Sequence, residues 1–122
     1  MALDEAIGRA MRGESDGSDV IGLMVAATLV LPSGAEVGER FEGFEPVLFD
    51  RDGTTVLGVF TSLELAASVA EIAPYAVTLT GRELLRMMPA DHGLAVNPGH
   101  LAGFELPPSG VAGLRASLGR ED

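Results

Sequence analysis

Apolar and polar positions change period several times along this chain, and the changes mark its elements. Leu3, Ile7 and Met11 lie four apart with Ala6 and Ala10 beside them. That is one apolar face of a short helix, and Asp4 and Glu5 suit its N-terminal turn. The polar run GESDGSD (13–19) breaks it. Ser18 or Asp19 can cap a second helix in which Val20, Leu23, Met24 and Ala27 keep helical spacing. The pattern turns to that of a strand over TLVLP (28–32), which Pro32 is expected to stop. Residues 33–45 (SGAEVGERFEGFE) have no period and are acidic; they read as a long, poorly ordered loop.

From residue 46 the signals are sharper. Val47 to Phe49 and Val56 to Phe60 are strand formers on either side of Asp50-Arg51-Asp52-Gly53. Those four are turn residues, and Gly53 tolerates positive φ, so 46–62 reads as a β-hairpin. Thr61-x-x-Glu64 has the form of a capping box, with Leu65, Val69 and Ile72 as the buried stripe of the helix it would open. YAVTLT (75–80) is a further strand running into a second box, Thr80-x-x-Glu83. Leu84, Leu85 and Met88 line the helix that follows, and Pro89 ends it. GLAVNPG (93–99) is a short apolar strand closed by an Asn97-Pro98-Gly99 turn, and FEL (104–106) is one more strand. A last helix begins near Pro108, with Val111, Leu114 and Leu118 on one side; its glycines weaken it, so packing must hold it. No repeat or linker interrupts the chain. The expectation is one domain over 1–122, with N-terminal helices in 1–27 and sheet and helices in 28–118. Its class is α+β: a mixed β-sheet of about five to six strands, a central β-hairpin, and helices packed on the sheet.

Composition narrows the function. The 122 residues are 47% apolar with few aromatics, so a real core forms from aliphatic side chains. Formal net charge is −10, and every basic residue is an arginine. Such a chain repels phosphate backbones and anionic lipid, so neither nucleic acid nor a membrane is an expected partner. With no cysteine there are no disulfides and no thiolate chemistry. The N-terminus lacks the apolar core of a secretory signal. The longest apolar stretch, Val20 to Leu31, is too short to span a bilayer, so a cytoplasmic location is expected.

The stretch FDRDGTT (49–55) carries the one catalytic suggestion. An apolar strand ending in Asp-x-Asp-Gly-Thr resembles the first motif of haloacid-dehalogenase-type phosphatases. There the first Asp attacks phosphorus, the second acts as acid and base, and Mg²⁺ neutralises the phosphate. Asp50 and Asp52 would take those roles in the alternative reading, a small Mg-dependent phosphohydrolase. Against it, the chain has no lysine to stand beside the phosphoryl group, and no later strand ends in a second acidic pair. A partner strand also follows the loop directly, which puts both carboxylates on a hairpin tip. His92 and His100, with Asp91, lack metal-ligand spacing and read as loop histidines. Ser33, Ser62 and Ser109 lie in capping or turn contexts, and no phosphate-binding glycine loop is present. Met87 and Met88 read as core packing beside Leu84 and Leu85. No cofactor and no metal is expected.

The ordered set of motifs over Pro46–Leu114 resembles the N-terminal domain of SseB-type ("enhanced serine sensitivity") proteins. PVLF and DRDG lead to VLGVFTSLELA, then GRELLRMM, GLAVNPG ending in Asn97-Pro98-Gly99, and GFEL. The earlier LMVAATLVLP fits the family's opening helix-to-strand passage. The resemblance implies an N-terminal domain without the C-terminal one found in some members. It supplies no catalytic residue and no cofactor. Since the residues offer no convergent set of titratable groups either, the expectation is a non-enzymatic interaction domain that binds an unidentified protein, or itself, through a sheet edge or apolar face. Phe60, Asn97, Pro98 and Gly99 are the expected contact residues, with Phe41 and Phe44 as apolar anchors in the acidic loop.

Overall fold

The computed structural model of the chain describes residues 3–14, 18–100 and 102–121, of which 18–19 and 119–121 enter through their backbone alone. In chain order the elements are α1 (Leu3–Met11), α2 (Ser18–Ala26), β1 (Thr28–Ser33), β2 (Leu48–Arg51), β3 (Thr54–Val59) and α3 (Leu63–Ala66). A 3₁₀ turn (Ala67–Val69) follows, then β4 (Tyr75–Thr80), α4 (Gly81–Met87), β5 (His92–Val96), β6 (Phe104–Leu106) and α5 (Pro108–Glu121). The cap expected at Ser18 or Asp19 lies outside the described side chains.

The six strands do not make one sheet. β1 and β4 form an antiparallel pair, and the other four lie in the order β2-β3-β5-β6. Within the four, β2–β3 and β5–β6 are antiparallel, whereas β3–β5 is parallel because α3, β4 and α4 intervene between them. Isolated bridges at Val30–Phe60 and Ser33–Pro46 connect the two sheets.

Pro32 lies inside β1 and does not stop it. Val30 donates to the Phe60 carbonyl at 2.7 Å and accepts from the Phe60 amide at 2.8 Å, so its backbone faces away from β4. Pro32, two residues on, faces the same way. Its missing N–H therefore leaves the β1–β4 ladder intact.

The hairpin is as expected. Asp52 (φ 53°) and Gly53 (φ 90°) form the two-residue turn, both left-handed, and the Asp50 carboxylate accepts the Gly53 amide at 3.1 Å. The predicted capping box at Thr80 forms as well. Its hydroxyl accepts the Glu83 amide (3.1 Å), and the Glu83 carboxylate accepts the Thr80 amide (2.9 Å). These bonds, led by the backbone one, hold the Glu83 carboxyl below its ordinary range. At the other end of α4, Arg115 from α5 donates to the carbonyls of Leu85 (2.7 Å) and Met88, satisfying groups the helix leaves open.

The box expected at Thr61 does not form. Ser62 is the cap, its hydroxyl accepting the Leu65 amide at 3.2 Å. Thr61 is held elsewhere, by Asn97. The helix that follows is only one turn before it tightens to 3₁₀, so Ile72 ends 69% exposed and Leu65 and Val69 carry the stripe.

One large core joins α1, α2, β1, β3, β5, α4 and α5 through Ile7, Met24, Leu29, Val59, Leu85, Leu94 and Val111. A smaller cluster of Val30, Phe60 and Ala66 fills the opposite face of β1, with Leu65 and Val69 over it. β1 is thus buried on both faces. Among the described residues no helix is long and apolar enough to cross a membrane.

Candidate functional site

Asp50 and Asp52 are exposed, and β2 is an antiparallel edge strand of the four-stranded sheet. The neighbouring Arg51 reaches across the sheet face to Glu105 at 2.6 Å, with its guanidinium 6.0 Å from the Phe49 ring centroid. That hydrogen bond and charge hold Arg51 still more firmly protonated. The arrangement is a solvent-facing turn closed by its own aspartate. Among the described residues no cluster of three or more His, Cys, Asp or Glu could hold a metal ion.

The structure brings Phe60, Thr61, Asn97 and His100 together at the C-terminal ends of the parallel strands β3 and β5. Asn97 is fully buried with φ 54°. Its Oδ1 accepts the Thr61 amide (2.9 Å), and its Nδ2 donates to the Thr61 hydroxyl (3.1 Å) and the Ala102 carbonyl (2.8 Å). Both amide hydrogens and the carbonyl oxygen are therefore spent within the fold, and none is left for a ligand. The same bonds explain why Thr61 cannot cap α3. Phe60 is also fully buried, its ring edge-on to His100 at 6.0 Å, and His100 Nε2 lies 3.2 Å from the Ser68 hydroxyl.

Phe60 and Asn97 are the two expected contact residues that lie inside the fold, with no exposed side-chain surface. They set the turn that presents Pro98, which is half-buried, and Gly99, which is exposed at φ 82°. The signal in the sequence was an Asn ahead of Pro-Gly. Asn is the non-glycine residue that best tolerates positive φ, so the turn was legible and the buried lock was not.

The acidic loop 34–45 is tied down at both ends by Ser33. Fully buried, its hydroxyl donates to the Ala35 carbonyl (2.6 Å) and accepts the Glu45 amide (3.0 Å). Between these points Phe41 and Phe44 fold back as an edge-to-face pair, ring centroids 5.9 Å apart, and pack on the main core. They roof an apolar groove of about 240 Å³ whose floor includes Leu31, Leu57, Leu79 and Leu84. Leu48 of β2 (48% exposed) and Met87 of α4 (54%) stand at its rim. Met88 is buried as expected of a core residue, but Met87 is not; the two flank the end of α4, where the chain leaves helical spacing. His92 is the titratable group on the groove wall, its Nδ1 2.8 Å from Asp91. That bond keeps the Asp91 carboxyl below its usual range.

Set against models of protein families, residues 3–113 match the SseB protein N-terminal domain. No curated protein and no solved structure matches the chain.

Proposed function

The chain belongs to the family of SseB protein N-terminal domains, and we propose that it works as a non-enzymatic protein-interaction domain whose docking site is the groove roofed by Phe41 and Phe44. The observation that carries this reading is the exposure of Leu48 and Met87 at the rim of an otherwise apolar hollow. Large side chains left in water beside a preformed apolar pocket mark contact surface more often than core. Charge selects the partner. Loop 34–45 sets the exposed Glu36, Glu39, Glu42 and Glu45 against the single Arg40. A basic segment inserting one or two apolar side chains satisfies both features. Phe41 and Phe44 then act from the roof, shaping the hollow.

The rim gives the test. Full burial of such a side chain contributes about 1.5–3 kcal/mol and Met87 is already about half-buried, so Met87→Ala forgoes about 1 kcal/mol and lowers affinity for the partner several-fold. A photo-reactive residue at position 87 cross-links the captured protein, and one at Glu64 does not. Equal capture by wild type and Met87→Ala refutes the groove as the contact. Mg²⁺-dependent phosphate-ester hydrolysis lost in Asp50→Asn refutes the non-enzymatic reading itself.

A further inference from the structure

We propose that the outer edge of β4 is a self-association edge, on which a second copy of this chain pairs antiparallel, β4 against β4, about a two-fold axis through Val77. The inference rests on the outward backbone groups of β4 and not on the groove reading, with which it shares only Leu79.

Hydrogen-bond parity identifies which groups are free to pair. Val30 turns its backbone away from β4, and Val30 is the register partner of Thr78. Thr78 is therefore a non-bonded partner of β1, and its N–H and C=O point outward; so do those of Ala76, opposite Pro32. Both residues are exposed. The register then matches itself. With Val77 on the axis, Ala76 meets the partner's Thr78 and Thr78 meets the partner's Ala76, so each outward N–H finds a carbonyl. On one face Val77 stands opposite its own copy, and Tyr75 opposite the partner's Leu79. These are β-branched and aromatic–aliphatic pairs of the kind that stabilise antiparallel strands.

The other edges of this protein are protected. β2 is four residues long and carries Asp50 and Arg51; β6 is three residues long and runs into Pro107-Pro108. β4 has six residues and no charge, proline or glycine. Natural sheet edges that must stay single carry such devices. The missing carboxylate also distinguishes the occupant: nothing over 75–80 attracts a basic peptide, whereas an identical uncharged strand meets no opposing charge. Repulsion comes from the rest of each copy, at net charge −10, and salt screens it. The paired edge is short, so association depends on concentration.

The chain has no cysteine, which makes the register directly testable. Under mild oxidant Val77→Cys forms a disulfide-linked dimer several-fold faster than Thr78→Cys. Across a non-bonded pair on the axis the two sulfurs are within reach; two copies of residue 78 lie too far apart diagonally. Random collision gives the opposite order, because Thr78 is the more exposed, and that order overturns the proposal. By light scattering the wild-type mass rises from 12.6 kDa toward twice that value with concentration, and more steeply in high salt. A mass fixed at the monomer value in both conditions overturns it too. Ala76→Pro removes an outward N–H that the β1–β4 ladder does not use. That variant stays monomeric with wild-type circular dichroism; one that is folded and still dimerises refutes the edge.

Discussion

Replacing Asn97 by alanine tests the account of the strand ends most directly. The substitution removes the acceptor of the Thr61 amide and the donor to the Ala102 carbonyl. An unsatisfied buried group costs about 1–3 kcal/mol; Thr61 and Ala102 are half-buried, so the lower figure applies, about 1 kcal/mol each. Alanine also resists the left-handed backbone at φ 54°, adding about 1 kcal/mol. The expected loss is about 3 kcal/mol. For a domain of this length that lowers the midpoint of thermal unfolding by on the order of 12 °C. Urea unfolding followed by circular dichroism measures it, with an unchanged dependence on denaturant. Asn97→Gly separates the two causes, because glycine loses the bonds without the strain and should retain about 1 kcal/mol relative to alanine. Asn97→Asp keeps the acceptor but turns a carboxylate oxygen toward the Ala102 carbonyl. Its folded-state pKa is raised, so this variant is most stable below the unfolded carboxyl value, near pH 4, and loses stability as pH rises through the folded value. An alanine variant within about 0.5 kcal/mol of wild type, or indistinguishable from glycine, refutes the lock.

At Gly81 an added Cβ would lie 1.9 Å from the Met24 carbonyl oxygen, so Gly81→Ala should destabilise by more than about 3 kcal/mol, whereas Gly22→Ala, with open space in an exposed helix interior, should stabilise by up to about 1 kcal/mol. Urea midpoints distinguish the two. Ser62→Ala and Thr80→Ala should each cost about 1 kcal/mol as lost helix caps, and a null effect at Ser62 would return the cap to Thr61. Asp91 and Glu83 are both held below their ordinary range, so the stability they contribute is present above about pH 4 and is lost as pH falls through their folded values. An acid titration of Glu83→Gln should be shallower than that of wild type in this window.

The order and type of the elements were legible along the chain because each depends on near neighbours. Helical spacing picked out Ile7, Met24 and Leu85, and all three lie in the core. The hairpin turn and the Thr80 box need contacts only two or three residues apart, and both formed as read. Thr61 and Thr80 carried the same local signal, yet one caps and the other does not. Only the fold brings Asn97 to Thr61, across 36 positions, to compete for its amide and hydroxyl. Pro32 looked like a stop because its hydrogen-bond parity depends on Phe60, which the local pattern does not contain. The loop 34–45 has no period, so its tie to Ser33 was out of reach of pattern reading.

By itself the sequence determined which residues are apolar, where the backbone must turn, and that no thiol or lysine chemistry is available. Tertiary structure alone decided which strands share a sheet, which polar groups are spent inside the fold, and where an apolar groove and an open edge remain. The physical reason is that periodicity records that a face is buried but not what buries it. The partner that settles each hydrogen bond and each contact lies far along the chain.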